Sequence, residues 1–186
     1  MRVVAGSAGG IPLIVPKSIT RPTMDKVRGA VFSSLGDAVP GSRVLDLFAG
    51  SGGFGIEALS RGAASATFVD NHRSAVDAIR SNLLRTRLSG KVQLADAVTF
   101  LRGATSEPGY DLIFADPPYV KQADDPDFAT ILLSAEELRS VLLEGGTFIL
   151  ETGSWQKLDA LESQGWSSLR TRTYGDTAVH YLVIDR

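Results

Sequence analysis

The chain has 186 residues, of which 44% are hydrophobic and 22% charged, a size and balance that suit one globular domain with a sizeable core. It carries no cysteine and two histidines, which excludes disulfides, thiolate metal ligands and a cysteine nucleophile, and gives no basis for a metal centre. No apolar run approaches the ~20 residues of a membrane span and no signal-peptide h-region is present, so a cytoplasmic protein without a membrane partner is expected.

The net charge of −2 hides an asymmetry. Residues 1–30 carry five basic groups (Arg2, Lys17, Arg21, Lys26 and Arg28) against Asp25 alone, a balance of +4. The other 156 residues carry 14 basic and 20 acidic groups, or −6. A basic arm on a mildly acidic body fits a local footprint for a polyanion.

In chain order, Arg2-Val3-Val4-Ala5 and Pro12-Leu13-Ile14-Val15 flank the glycine-rich stretch 6–10 and predict a short hairpin. Arg21-Pro22-Thr23 ends the extended section. Val27, Ala30, Val31 and Leu35 then recur at helical spacing, and Pro40-Gly41 closes that helix. From Arg43 apolar runs alternate with amphipathic stretches. Strands are predicted at 44–48, 66–69, 92–94, 112–115 and 147–150, and helices at 53–61, 74–86, 98–103, 135–143 and 157–163. Strict β/α alternation implies parallel strands with helices on both faces, a doubly wound sheet. The tail departs from it: stretches 168–173 and 177–184 are joined by Tyr174-Gly175-Asp176, a hairpin signal that makes the last strand antiparallel. Trp155, Trp166, Phe100 and Phe148 are expected in the core or packed on the sheet.

The first strand runs into Asp46-Leu47-Phe48-Ala49-Gly50-Ser51-Gly52-Gly53. Glycines there let the backbone turn sharply and approach a ligand. Gly50, Gly52 and Gly55 also match a dinucleotide fingerprint, with Asp70 twenty residues past Gly50, so a nicotinamide oxidoreductase is a rival reading. Against it, Asp46 would repel a pyrophosphate but attract the cationic methionine end of S-adenosylmethionine. Asp46, Asp70, Asp96 and Asp116 close strands one to four, and carboxylates lining one rim favour a ligand that brings donors and positive charge. Asp116-Pro117-Pro118-Tyr119 follows the apolar run 112–115. Two prolines fix the exit of the chain in an extended shape and remove two N–H donors. The Asp116 carboxylate and backbone carbonyls are thereby left as acceptors beside an aromatic face, which suits a planar ring carrying an amino group.

These runs resemble class I S-adenosylmethionine-dependent methyltransferases that act on exocyclic amines. Adding Arg21-Pro22-Thr23-Met24-Asp25-Lys26-Val27-Arg28 and Tyr174-Gly175-Asp176-Thr177-Ala178, nearly the whole chain resembles the RsmD family, bacterial methyltransferases of a guanine N2 in 16S ribosomal RNA. The resemblance implies an α/β Rossmann-like sheet of seven strands with the last antiparallel, in a single methyltransferase domain. Residues 1–36 would be its N-terminal extension and 43–186 its catalytic core. It implies S-adenosylmethionine as cofactor, no metal, an RNA partner (16S rRNA, free or in an assembling small subunit) and a monomer. Carried over by position, Asp46, Gly50 and Gly52 shape the methionine pocket, Asp70 binds the ribose, and Asp96 with Ala97 contacts adenine. Phe48, Ser51, Asn71 and Asp116 complete that set, while Arg21 and Thr23 fall on the segment that closes over the cofactor. Asp116, Pro117, Pro118 and Tyr119 form the catalytic tetrapeptide, Tyr119 stacking on the base, and Lys17, Lys26 and Arg28 meet RNA. Other acceptors of the same chemistry are an adenine N6 in DNA or a protein glutamine amide. A non-catalytic RNA-binding assembly factor is the reading from another class. Two departures from the family stand out: residues 7–12 lack its basic pair, and Asp124-Asp125-Pro126-Asp127 follows the tetrapeptide.

Overall fold

A computed structural model describes residues 1–16, 24–104, 109–120, 122, 124–158, 161 and 164–184. They form two compact units, Met1–Ala97 and Val98–Arg186.

The first unit opens on two extended segments joined by one antiparallel bridge, Arg2 to Pro12, rather than a full hairpin. Val3, Ala8 and Leu13 turn inward and are buried. Helix α1 (Met24–Leu35) buries Val27 and Val31, one turn apart, and ends in a 3-10 turn at Gly36–Ala38. Strands β1 (Arg43–Leu47), β2 (Ser65–Asp70) and β3 (Lys91–Leu94) pair in parallel in the order β3-β2-β1. Helices α2 (Gly53–Ser60) and α3 (Arg73–Thr86) make the crossovers, and the unit ends at the first residue of α4 (Ala97–Ala104), a helix that otherwise belongs to the second unit. β1 and β2 are buried almost throughout, as parallel strands covered on both faces must be.

The second unit holds β4 (Tyr110–Ala115), α5 (Phe128–Ser134), α6 (Glu136–Val141), β5 (Leu142–Gly153), β6 (Trp166–Tyr174) and β7 (Thr177–Ile184). β4 and β5 are parallel, and β7 runs antiparallel to both β5 and β6. The tight turn after Tyr174 thus places the reversed strand between β5 and β6. Seven strands in a mixed sheet with β7 reversed give the expected Rossmann-like α/β class. Trp166 and Phe148 pack with ring centroids 5.4 Å apart, and the Trp166 indole donates to the Leu133 carbonyl at 2.8 Å. Both are fully buried, as expected.

Elements between β4 and β5 differ most from the pattern. α5 is held by a side-chain cap: Asp127 accepts from the Thr130 amide at 3.1 Å and its hydroxyl at 2.7 Å. The helix expected to run to residue 143 stops at Val141, because Leu142 already pairs with Tyr110 in the sheet. The stretch 157–163 lies partly outside the described residues. Among the described residues no helix is long and apolar enough to cross a membrane.

The N-terminal segment is fastened to α2 by Ser60, which accepts from the Ala8 amide at 2.9 Å and donates to the Ala5 carbonyl at 2.6 Å, and by a buried carboxylate. Glu57, fully buried, accepts from the Val4 amide at 2.7 Å and the Ala5 amide at 3.0 Å. It also takes the Arg61 guanidinium at 2.7 Å and faces Arg28 Nε at 3.5 Å. Arg28 in turn holds Asp25 at 3.0 Å and donates to the Arg2 carbonyl. These contacts correct the sequence-based role of Arg28. At 2% exposure it has no face for RNA, and it neutralises Glu57 instead. Lys26 is exposed, whereas Lys17, Arg21 and Thr23 lie outside the described residues. Removing one partner of such a buried network strands the other charges, at a cost of about 3–5 kcal/mol. Glu57→Ala is expected to lower stability to urea by that amount and to make residues 1–14 more susceptible to protease, read by denaturation and limited proteolysis.

Candidate active site

In the first unit the site is a turn whose backbone is tied down by the carboxylates at the strand ends. Phe48, Gly50 and Gly52 all lie at positive φ (56°, 57° and 78°), so the chain winds left-handed between β1 and α2. Gly52 caps α2 in that conformation, which a side chain would strain. Gly55 has another reason to be glycine: a Cβ there would lie 2.3 Å from the Phe68 ring. It lets α2 sit directly on β2.

Asp70, 8% exposed at the end of β2, accepts from the Gly50 amide through Oδ2 and the His72 amide through Oδ1, both at 2.8 Å. Asp46, 2% exposed, accepts from the Gly55 amide at 2.8 Å. Burial, followed by the nearby Asp70 charge, pushes the Asp46 carboxyl up to about 8, against the opposing pull of the Gly55 amide and Arg28. Asp96 is half-buried just before α4, Ala97 is buried and Asn71 is exposed. The Ser51 side chain is turned inward, its hydroxyl on the Met1 sulfur at 3.1 Å. Carboxylates and backbone groups dominate this set, and of the basic side chains beside it Arg28 is paired with Asp25 and Glu57 while the His72 imidazole lies 3.4 Å from Asp70 Oδ1. Such a site suits a ligand with a cationic group and hydroxyls, not a pyrophosphate.

In the second unit Asp116 follows β4, half-buried, with Pro117 buried and Pro118 exposed. Tyr119 is only 9% exposed. Its hydroxyl donates to Glu151 Oε1 at 2.8 Å and meets the Thr177 hydroxyl at 3.0 Å. Burial, then the Glu151 charge, pushes this phenol well above its ordinary value, so it stays a neutral donor. The ring face that sequence reasoning offered to a base is thus largely covered, and Tyr119 serves first as a strut. Asp127, in the acidic patch, is occupied with the α5 cap and with Gln156 at 2.8 Å.

Two residues escaped the sequence reading. Asn82, fully buried on α3, exchanges hydrogen bonds with the Ile14 amide (2.7 Å) and carbonyl (2.9 Å) and donates to the Ser51 carbonyl at 2.9 Å. It ties the N-terminal segment to the glycine turn. An amide among Ala75, Ile79, Leu83 and Thr86 on the buried side of α3 was the available signal. Trp155, expected in the core or packed on the sheet, is 57% exposed. Among the described residues no cluster of three or more His, Cys, Asp or Glu is placed to hold a metal.

The family described as Conserved hypothetical protein 95 matches residues 1–183. Putative rRNA methyltransferase YlbH of Bacillus subtilis (strain 168) is 39% identical over 184 residues, covering 96% of each chain. Ribosomal RNA small subunit methyltransferase D of Escherichia coli (strain K12) is 36% identical over 121 residues, 64% of this chain and 60% of its own length. A solved structure of a hypothetical protein from Thermus thermophilus matches with a TM-score of 0.81 at 30% identity, over 100% of this chain and 99% of that one.

The raised carboxyl of Asp46 sets a pH dependence. Its folded value of about 8 exceeds the ordinary 3.8, so between these limits the folded state binds more protons than the unfolded state. The stability it contributes is therefore present at acid pH and lost as pH rises from about 4 to about 8. Asp46→Asn keeps an acceptor for Gly55 and loses the titration. In urea unfolding of the ligand-free protein, the variant is expected to gain on the wild type steadily from about pH 5 to about pH 8.

Proposed function

We propose a function from one premise: the chain belongs to the RsmD family, the family described as Conserved hypothetical protein 95. It transfers a methyl group from S-adenosylmethionine to ribosomal RNA, and its acceptor is the exocyclic N2 amine of a guanine in 16S rRNA. The names of the Bacillus subtilis and Escherichia coli relatives support methyl transfer to ribosomal RNA, and the second supports the small subunit. The family resemblance supports guanine N2. The observation that carries the reading is the motif Asp116-Pro117-Pro118-Tyr119, braced at Tyr119 by Glu151 and Thr177.

The residues of the first unit fit the cofactor. A buried carboxylate that ordinarily holds its proton near neutral pH, as Asp46 does, becomes ionised when a cation is brought beside it. Asp70 uses both oxygens on backbone amides, and each oxygen keeps a lone pair for a ribose hydroxyl. Gly50 and Gly52 let the backbone pass close to the methionine moiety, and Asp96 with Ala97 flanks adenine. When bound, S-adenosylmethionine supplies an electrophilic methyl group on a sulfonium.

The second unit handles the acceptor. A guanine N2 amine is a poor nucleophile, because its lone pair is delocalised into the ring. Hydrogen bonds from its two N–H groups to the Asp116 carboxylate and the Pro117 carbonyl orient the nitrogen, and orientation supplies much of the rate. The prolines keep these acceptors in place. Positive charge would grow on the nitrogen as its bond to the methyl carbon formed and the carbon–sulfur bond broke, with S-adenosylhomocysteine as the neutral leaving group. The Asp116 carboxylate would stabilise that charge in a preorganised way. Asp116 or water then takes the departing proton. A guanine within a helix is out of reach, so the target is unpaired or flipped out.

Asp116→Ala is expected to leave S-adenosylhomocysteine affinity nearly intact in calorimetric titration while slowing methyl transfer about a hundredfold. Asp116→Asn, which keeps an acceptor but loses the charge, falls between the two. Wild-type rates in Asp116→Ala would reduce the tetrapeptide to a turn.

A further inference from the structure

Trp155 is the single aromatic among the exposed large hydrophobic residues described, the others being Val4, Ile14, Leu84, Leu94, Ile131 and Leu169. Its ring is held, not loose. A Cβ on Gly153 would lie 2.5 Å from indole Cε2 and Cζ2, so the ring rests on the bare backbone at the end of β5. On one side it meets Tyr119 edge-on, centroids 5.7 Å apart and planes at 81°. The segment that carries it is pinned at both flanks. The Ser154 amide donates to the Asp176 carbonyl at 2.9 Å, the Gln156 amide to the Gly153 carbonyl at 2.9 Å, and the Gln156 side chain to Asp127 at 2.8 Å. A fixed indole loses little conformational freedom when a flat partner lands on it, which is the advantage of a preorganised surface.

The groups that brace this corner select the partner. Glu151 holds the Tyr119 hydroxyl and Asp127 holds Gln156, while Asp116 acts on the Tyr119 phenol. Carboxylates on these elements disfavour a phosphate and tolerate an N–H-bearing ring. Tyr119 itself is mostly covered, which leaves Trp155 as the exposed aromatic side chain beside the acceptor tetrapeptide.

We propose that Trp155 is the stacking platform for an unpaired nucleobase of the RNA substrate at the Asp116-Pro117-Pro118-Tyr119 motif, an inference that rests on the rRNA methyltransferase reading. Stacking on an indole is tolerant of base identity. Trp155 therefore contributes to RNA affinity and to presentation of the base, while sequence selection resides elsewhere.

The test uses the full chain with Trp155→Ala and Trp155→Phe. The wild type has two tryptophans, and Trp166 is fully buried, so quenching of its emission by a short single-stranded RNA reports on Trp155. Quenching is expected, and a spectrum unchanged at saturating RNA would overturn the inference. In steady-state methyl transfer to small-subunit RNA, Trp155→Ala is expected to raise the RNA KM about tenfold, the scale of one stacked base. Its S-adenosylhomocysteine affinity should stay at the wild-type value with the protein fully folded at the assay temperature, and Trp155→Phe should recover most of the loss. A wild-type KM in Trp155→Ala, or a loss in kcat alone that Phe does not rescue, would also overturn it. Failure of the functional reading shows differently: the wild type itself would transfer no methyl group to RNA, and the stacking assignment would fall with it.

Discussion

Two buried carboxylates set the shape of the glycine-rich turn in the first unit. Asp70 and Asp46 reach from β2 and β1 to the amides of Gly50 and Gly55, which fixes the left-handed turn at both ends. Holding two acids this close inside the protein is costly, as the raised Asp46 carboxyl shows. The surroundings offset that cost only in part, with backbone amides and with Arg28. Arg28 is itself committed to Glu57 and Asp25, so the turn, α2, α1 and the N-terminal segment form one electrostatic chain. The residual mismatch is what a cationic ligand relieves: a site built from acids gains most when positive charge arrives.

The second unit depends on a different anchor. The Tyr119 hydroxyl joins Glu151 on β5 to Thr177 at the start of β7, 58 residues along the chain from the tyrosine. Asp176, one residue earlier, holds the Ser154 amide. This gives a physical reason why the terminal Tyr174-Gly175-Asp176-Thr177-Ala178 segment accompanies the tetrapeptide. The hairpin that inserts β7 between β5 and β6 also delivers the brace for the Asp116-Pro117-Pro118-Tyr119 turn.

Much of this was legible in the amino-acid pattern. Six of the seven strands were located to within two residues: buried parallel strands such as β1, β2 and β4 leave a plain hydrophobic signature, while the reversed β7 was read from the hairpin signal at Tyr174-Gly175-Asp176. β5 was placed too short, since Glu144, Gly145 and Gly146 do not read as strand, yet Leu142 pairs with Tyr110. α5 was missed because its start depends on a side-chain cap at Asp127, a local contact inside what read as an acidic loop. Within the site, residue type alone could not say which polar groups face outward. Arg28 read as part of a basic arm, yet its burial partner Glu57 lies 29 positions on. Tyr119 and Trp155 exchanged their expected places. One is held inward by its hydroxyl and the other outward by a bare glycine backbone, and neither cause appears in composition or periodicity.

The central claim is that a guanine of small-subunit ribosomal RNA receives its N2 methyl group from this chain. It is tested most directly by mass spectrometry of nucleosides released from purified 16S rRNA of cells with and without the gene. The account predicts that N2-methylguanosine falls by one residue per 16S molecule in the deletion strain and returns when the wild-type gene, but not Asp116→Ala, is restored. An unchanged N2-methylguanosine content in the deletion strain, with a different methylated nucleoside lost, would contradict it.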